Sequence, residues 1–170
     1  LSRGLGDVYK RQVEIAKIAS SFGAEVPFIR PKNLADDITP TQPVIRHAIE
    51  WLLQAGSKYD YVCCLYPTAP LLKAKDICKS QKIITEAPEE EMLFSATSFN
   101  YPIQRALIFN NEGFASMLYP ENQKKRSQDL KETFHDAGQF YWASSKRWLT
   151  ISEIFRYSKP YILPRWRVQD

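Results

Sequence analysis

The chain has 170 residues, of which 44% are hydrophobic and 25% are charged, proportions typical of a globular domain with its own core. The net charge of +4 is small, and no basic stripe interleaved with aromatic residues is present, so we expect no nucleic-acid partner. The sequence has no apolar run of about eighteen residues, and its three cysteines form neither a disulfide framework nor a zinc motif. We therefore expect a cytoplasmic protein without a membrane partner.

The N-terminal residues differ in pattern from the rest of the chain. Residues 1–12 show neither helical nor strand periodicity, and we expect them to be extraneous to a domain that covers residues 13–170. From Val13 onwards, apolar residues recur at helical spacing until Gly23, which is suited to end a helix. The segment Glu25–Ile29 then predicts a short strand, in which Pro27 indicates a sheet edge or the start of a strand.

The clearest strand pattern is the apolar run Tyr59–Leu65, which ends in a loop of small and rigid residues. That loop contains Tyr66, Pro67, Thr68, Ala69 and Pro70. In open α/β sheets, a loop at the carboxyl end of a buried strand is where ligands bind. The pattern by itself favours the plainer interpretation, a core strand followed by a proline turn.

The other predicted elements indicate an α/β fold. In chain order they are a helix capped by Thr39 or Thr41 and ended by Gly56, a helix over 74–86, a strand over Met92–Ser98, a hairpin with its turn at Asn110–Gly113, a strand over Gly138–Ala143, a short helix capped by Ser144 or Ser145, and a strand over Tyr161–Leu163. Strands that alternate with helices in the first half predict a mainly parallel sheet, which the later strands make mixed.

Several polar residues follow predicted strands and could bind a ligand. Arg30 can hold a phosphate or carboxylate in a two-pronged grip, and the five donors of Arg126 suit an acidic, hydroxylated ligand, although a solvated loop is the commoner setting for both. His135 and Asp136 could form a proton relay, but no activated nucleophile accompanies them, and the alternative is a turn held by an Asp side-chain to backbone hydrogen bond. Asp170 could bind Mg²⁺ through its carboxylate, or could be merely solvated.

Taken together, eight motifs in order resemble the acylneuraminate cytidylyltransferase family over about residues 13–170. They are Glu14–Ala16, Gly23–Phe28 with Arg30–Pro31, Asp36–Asp37, Tyr66–Pro70, Pro102–Leu107, Arg126–Leu130, His135–Trp142 and Leu163–Asp170. Tyr66 stands where sialic acid enzymes carry Gln, and Ala137-Gly138-Gln139 stands where they carry an Asn-Gly-Ala type motif. At these positions the sequence resembles the branch of the family that acts on pseudaminic acid.

The resemblance implies a three-layer, mixed and mainly parallel sheet of the nucleotide-diphospho-sugar transferase type. It also implies an arm over about residues 101–135 through which a homodimer forms. The implied reaction joins CTP to an acidic nine-carbon sugar, giving a CMP-sugar and pyrophosphate with Mg²⁺ as cofactor. The protein would contribute positioning and charge stabilisation rather than a covalent intermediate.

The resemblance also implies roles for individual residues. Those near the nucleotide would be Arg30, Tyr66, Pro67, Thr68 and Ala69. The sugar carboxylate would be held by Arg126 and Gln128, either of the same subunit or of the partner subunit. The hydroxyl groups of the sugar would contact Asp136, Gln139 and Tyr141. Asp170 would bind magnesium.

Two departures from the family pattern lead to a further expectation. The family begins with a strand and a Gly-Ser-Lys-Arg type phosphate loop, and it continues past the position of Asp170 to a second metal-binding Asp and a final helix. This sequence has neither, so we expect an incomplete cytidylyltransferase domain that is inactive by itself. The alternatives are a cytidylyltransferase for sialic or legionaminic acid, and a non-catalytic dimeric binding module.

Overall fold

The computed structural model describes residues 5–36 and 38–169, with side chains from residue 12 onwards. Its helices are α1 (Leu5–Ser21), α2 (Thr41–Gln54), α3 (Ala74–Thr85) and α4 (Ser145–Thr150). Its strands are β1 (Tyr61–Leu65), β2 (Met92–Ser98), β3 (Leu107–Phe109), β4 (Ala115–Met117), β5 (Phe134–Ser144) and β6 (Ser158–Ile162). The chain divides into a first unit, Leu1–Tyr59 with Trp148–Ser152, and a second unit, Asp60–Arg147 with Glu153–Asp170.

In the first unit, α1 begins earlier than the sequence pattern predicts. The helix starts at Leu5 rather than near Val13, and it ends before Gly23, whose φ of 85° is the left-handed conformation expected of a helix stop. No proline interrupts the helical stretch, so the backbone can remain helical without an apolar stripe to mark it. The extraneous origin of residues 1–12 stays a prediction.

The segment after α1 corrects another prediction. Glu25–Ile29 is not a strand, because two nearby prolines lack the N–H groups that a sheet needs and no described strand pairs with the segment. Phe28 instead packs against α2, with ring centroids 5.0 Å from His47 and 5.2 Å from Trp51. The start of α2 also differs from expectation, since its N-cap is Pro40 and no threonine side chain caps it.

The second unit contains a sheet in the order β1–β5–β2–β6. β1, β2 and β6 run in one direction and β5 runs in the opposite one. Because β5 lies between β1 and β2, two of the three pairings among the described strands of this sheet are antiparallel. The sheet is mixed, as predicted, but the mainly parallel pairing is not what these strands show.

The core of this unit forms where α3 packs against the sheet. Its buried apolar members are Ile84, Leu93, Ala137, Phe140, Trp142 and Leu163. The buried indole of Trp142 donates a hydrogen bond from Nε1 to Ser80 Oγ at 3.0 Å, so its polar atom is satisfied. Among the described residues, every helix is too short or too polar to cross a lipid bilayer.

The predicted hairpin forms a separate two-stranded sheet from β3 and β4, which pair in antiparallel register. Its turn is closed by the side chain of Asn110, whose Oδ1 accepts hydrogen bonds from the N–H groups of Glu112 and Phe114. Gly113 in that turn has a φ of 88°, which a residue with a side chain rarely adopts. Large apolar side chains on this hairpin remain exposed, including Phe109 (71%) and Phe114 (70%).

Candidate functional site

The loop after β1 meets the middle of β5. The N–H of Tyr66 donates to the carbonyl of Gln139 at 2.9 Å, which extends the β1–β5 pairing by one residue. The rings of Tyr66 and Tyr141 lie 5.1 Å apart, centroid to centroid. Sequence-predicted site residues from two distant segments therefore come together, and we call Tyr66, Asp136, Gln139 and Tyr141 the β1–β5 cluster.

The remainder of that loop turns sharply away from the strand. Pro67 and Thr68 are exposed, Ala69 is half-buried, and the carbonyl of Ala69 accepts a hydrogen bond from Leu72 N–H at 3.1 Å. The proline holds the backbone in a fixed conformation, while the exposed hydroxyl and the small side chain leave room for a ligand. The loop is thus both rigid and open.

Within the cluster, Asp136 accepts two hydrogen bonds from its own chain. Its Oδ1 accepts from Gly138 N–H at 2.9 Å, and its Oδ2 accepts from the hydroxyl of Tyr141. Burial, reinforced by the hydrogen bond and negative charge of Asp136, raises the pKa of Tyr141. Tyr141 is therefore a neutral hydrogen-bond donor near pH 7, held in a fixed direction.

A bulge in β5 creates this arrangement. Phe94 pairs with Tyr141 and Ala96 pairs with Asp136, so four residues of β5 lie opposite Ser95 alone. The buried hydroxyl oxygen of Ser95 accepts hydrogen bonds from the N–H groups of Gln139 and Phe140, both at 3.1 Å. One side chain thereby satisfies two buried donors that the regular ladder leaves unpaired.

Gln139 itself is buried, with only 2% of its surface exposed. Its Nε2 donates to the carbonyl of Arg167 at 2.6 Å. Its Oε1 is buried and has no hydrogen-bond partner among the described residues. Since a carbonyl can only accept, this contact selects the amide orientation in which Nε2 points toward Arg167 and leaves Oε1 as a free acceptor.

Behind Gln139 lies a buried charge pair. Nη2 of Arg167 is 2.5 Å from Oδ2 of Asp76, and the hydroxyl of Tyr161 donates to the other oxygen of this carboxylate at 3.1 Å. Burial acts to raise the pKa of Asp76, but the hydrogen bonds from Arg167 and Tyr161 outweigh it, so the pKa lies below its ordinary value. The carboxylate therefore stays charged and paired at neutral pH.

Arg126 and Gln128 are exposed; Gln128 lies in the short helix Ser127–Asp129, and Arg126 directly precedes that helix. Arg126 grips Asp129 with two hydrogen bonds, from Nε at 2.8 Å and from Nη2 at 3.2 Å. No hydrogen bond or ion pair described in the structure joins Arg126 or Gln128 to the β1–β5 cluster. The grip shows that this guanidinium is oriented to hold a carboxylate side-on.

The last two residues predicted to belong to the site, Arg30 and Asp170, are not part of the β1–β5 cluster. Arg30 belongs to the first unit, where its Nε lies 3.1 Å from the amide oxygen of Gln12 once that amide is turned to accept. Asp170 lies outside the described residues. Within the described part of the chain, no group of three or more His, Cys, Asp or Glu side chains could hold a metal ion.

A cavity of about 320 Å³ adjoins Asp136. Four of its lining side chains are apolar, namely Phe94, Ala96, Phe134 and Phe155, and the other two are His135 and Asp136. A space of this size with one carboxylate in its wall suits a ligand that combines apolar groups with hydroxyls.

Three residues that shape this site were not predicted from the sequence, namely Ser95, Asp76 and Arg167. Ser95 lies within a predicted strand, and the sequence pattern gives no sign of the bulge that makes its hydroxyl an acceptor for two backbone N–H groups. Asp76 resembles an ordinary acidic residue in the first turn of a helix, and its partner is ninety-one positions further along the chain. Arg167 belongs to a recognised motif, but nothing in that motif indicated that its side chain is buried.

Comparison with curated proteins shows where the chain belongs. A Campylobacter jejuni serotype O:2 protein named pseudaminic acid cytidylyltransferase is 46% identical over 160 residues, which cover 92% of this chain and 68% of that protein. A protein of the same name from serotype O:23/36 is 44% identical over the same shares of both chains. The chain belongs to the pseudaminic acid cytidylyltransferase family. This confirms the resemblance predicted from the eight motifs.

A more distant member of this group carries a second named activity. A Helicobacter pylori protein is named pseudaminic acid cytidylyltransferase and UDP-2,4-diacetamido-2,4,6-trideoxy-beta-L-altropyranose hydrolase. It is 29% identical over 143 residues, which cover 84% of this chain and 27% of that protein. No family model matches the chain.

Proposed function

We propose that this chain forms part of a nucleotidyltransferase that activates pseudaminic acid with CTP. The observation that carries the proposal is the identity to two pseudaminic acid cytidylyltransferases across nearly the whole chain. The β1–β5 cluster supports it, because it brings together a rigid, open loop and three polar side chains suited to a hydroxylated ligand.

The proposed reaction is a single phosphoryl transfer. The anomeric hydroxyl oxygen of the sugar bonds to the α-phosphorus of CTP, and the bond from that phosphorus to the β-phosphate oxygen breaks. Pyrophosphate leaves, and the hydroxyl proton passes to solvent or a nearby base. Such a reaction depends on positioning the attacking oxygen in line and stabilising the phosphate charge, and it requires no covalent intermediate with the protein.

In this proposal the loop over Tyr66–Ala69 lines the junction between nucleotide and sugar. Asp136, Gln139 and Tyr141 meet the polar groups of the sugar. Because the Tyr141 hydroxyl gives its proton to Asp136, it can still accept a hydrogen bond from the sugar, and its lone pairs together with the remaining acceptor capacity of Asp136 support this role. The adjoining cavity, with its aromatic walls, is of a size and character suited to a sugar that carries apolar substituents.

Arg126 and Gln128 are proposed to bind the sugar carboxylate, and Arg30 the nucleotide. The support for Arg126 is its present two-pronged grip on Asp129, the geometry that a sugar carboxylate would need. Because no described contact joins this helix to the cluster, its use in the site fits best with a site completed by a second subunit. The exposed β3–β4 hairpin supplies the apolar surface that a homodimer arm requires.

Mg²⁺ is the proposed cofactor, with Asp170 as a ligand. The described residues contain no cluster able to hold a metal by themselves. The requirement for Mg²⁺ is tested by measuring CMP-sugar formation with and without added magnesium.

The test is an assay of CMP-sugar formation by the protein expressed from its full reading frame. The assay supplies CTP and Mg²⁺ with pseudaminic, legionaminic or sialic acid, and it compares the wild type with Arg126→Ala. Loss of charged hydrogen bonds to a carboxylate should raise the KM for the sugar roughly 10- to 100-fold. Lys124→Ala, which removes an exposed cation two residues away, is the matched control and should change KM less than about twofold.

Product with pseudaminic acid alone would support the proposal and exclude the other two sugars as substrates. Product with only sialic or legionaminic acid would show that this other sugar, and not pseudaminic acid, is the substrate. A folded protein that forms no product with any of the three would favour the non-catalytic binding module. An unchanged sugar KM in Arg126→Ala would remove Arg126 from the site while leaving the reaction in place.

A further inference from the structure

We infer that Arg167 is a positioning residue that fixes the Gln139 amide and the loop after β1 with respect to each other. The inference rests on the proposed function, because it concerns the geometry of the proposed sugar site. It is carried by the contacts of both ends of Arg167, which reach three segments that are far apart in the sequence.

The side chain of Arg167 holds the first two segments. Its guanidinium is 4% exposed and donates from Nη2 to Asp76 in the first turn of α3. The same guanidinium donates from Nε at 3.4 Å and from Nη2 at 3.3 Å to the carbonyl of Leu71, directly after the loop over Tyr66–Pro70. One planar fork therefore ties the end of that loop to the start of α3.

The backbone of Arg167 holds the third segment. Its carbonyl accepts the 2.6 Å hydrogen bond from Gln139 Nε2, and it is the only partner described for that amide side chain. Rotation of the amide would place Oε1 against another carbonyl oxygen and lose this bond. The direction in which Gln139 presents its oxygen thus depends on where the Arg167 backbone lies.

The two ends are coupled, because the guanidinium contacts determine the position of the short helix Arg165–Arg167 and hence of the carbonyl. A lysine at this position keeps the positive charge, but a single ammonium group lacks the fork that reaches Leu71 and Asp76 together. We expect such a change to move the carbonyl and to loosen Gln139, without removing any atom that touches the substrate.

The test is a double-mutant cycle in the full-reading-frame protein, measuring kcat and the KM for the sugar. Arg167→Lys should lower kcat/KM for the sugar by about 10- to 100-fold, the effect of a displacement of about 1 Å in a site. Gln139→Met should have a comparable effect. If Arg167 acts through Gln139, the double variant should be no more than about twofold worse than Gln139→Met.

Arg165→Lys is the matched control, because Arg165 lies in the same short helix with an exposed side chain, and its kcat/KM should stay within about twofold of wild type. Melting temperatures are measured for every variant. Should Arg167→Lys fail to fold, the neutral pair Arg167→Gln with Asp76→Asn, which leaves no buried charge, takes its place in the cycle.

Effects of Arg167→Lys and Gln139→Met that multiply would overturn the inference, since they would show two independent roles. An unchanged kcat/KM with a lowered melting temperature would also overturn it, because Arg167 would then be only structural. A wild-type protein that forms no CMP-sugar is a different result: the proposed function itself would fail, and this inference with it.

Discussion

The bulge between β2 and β5 and the hairpin β3–β4 lie in the same unit, but the first buries polar groups and the second exposes apolar side chains. At the bulge, polar groups are buried, and the backbone donors that the ladder leaves unpaired find a partner in Ser95. At the hairpin, aromatic side chains such as Phe109 and Phe114 face outward with about seventy per cent of their surface exposed. Buried polar groups constrain geometry because each needs a partner, whereas an exposed apolar surface constrains nothing until another surface covers it. The proposed chemistry lies at the first region and the proposed dimer contact at the second.

The largest effect on stability should come from removing the charge that pairs with Asp76. Arg167→Met should lower the free energy of unfolding by about 3–5 kcal/mol, because it leaves a buried carboxylate without its partner. Urea denaturation followed by circular dichroism measures this. Arg165→Met, the exposed neighbour, should change the same quantity by less than about 0.5 kcal/mol. Equal losses in the two variants would show that the Arg167 side chain contributes no more than an exposed one.

A smaller loss should follow from removing the hydroxyl at the bulge. Ser95→Ala leaves the N–H groups of Gln139 and Phe140 buried without an acceptor, at a total cost of about 1–3 kcal/mol. The matched change on the hairpin, Ser116→Ala, removes an exposed hydroxyl and should cost less than about 0.5 kcal/mol. If the two serines proved equivalent in urea denaturation, the contrast between the two regions would be lost.

The dependence of the unfolding free energy on pH below about 4 also tests the buried ion pair between Asp76 and Arg167. The pKa of Asp76 in the folded chain lies below its ordinary value of 3.8, so its contribution is present above 3.8 and is lost as the pH falls through the lower, folded value. Asp76→Asn should therefore show a flatter decline of unfolding free energy than the wild type below about pH 4. Glu86→Gln, an exposed carboxylate at the end of α3, serves as the control. Parallel curves for the wild type and Asp76→Asn would contradict the assignment.

The smallest effect on the chain's own stability is expected at the hairpin. The double variant Phe109→Ser with Phe114→Ser removes two exposed rings and should change the free energy of unfolding by less than about 1 kcal/mol. Under the proposal that the hairpin is a dimer arm, the same variant should weaken self-association by at least tenfold in sedimentation equilibrium. A monomeric wild type, or a dimer unaffected by the change, would remove the hairpin from the interface.

Much of the local structure could be predicted from residue patterns. The strand Met92–Ser98 was predicted with its observed limits, and the hairpin was predicted from its Asn- and Gly-containing turn. Ser144 does cap α4, accepting a hydrogen bond from Arg147 N–H at 3.0 Å. These features depend on neighbours in sequence, which a pattern can show. The prediction of a strand over Glu25–Ile29 was wrong, because strand propensity does not indicate whether a partner strand is present.

The sequence by itself determined the family, the positions of most helices and strands, and the loop and motif residues of the proposed site. The tertiary structure decided that β5 runs between β1 and β2, which brings Tyr66 beside Gln139 and Tyr141. It also decided that Asp76 and Arg167, 91 positions apart, share a buried ion pair. The physical reason is that local hydrogen-bonding and periodicity depend on a few adjacent residues. Strand order and buried polar pairs depend instead on which distant groups must satisfy one another once water is excluded.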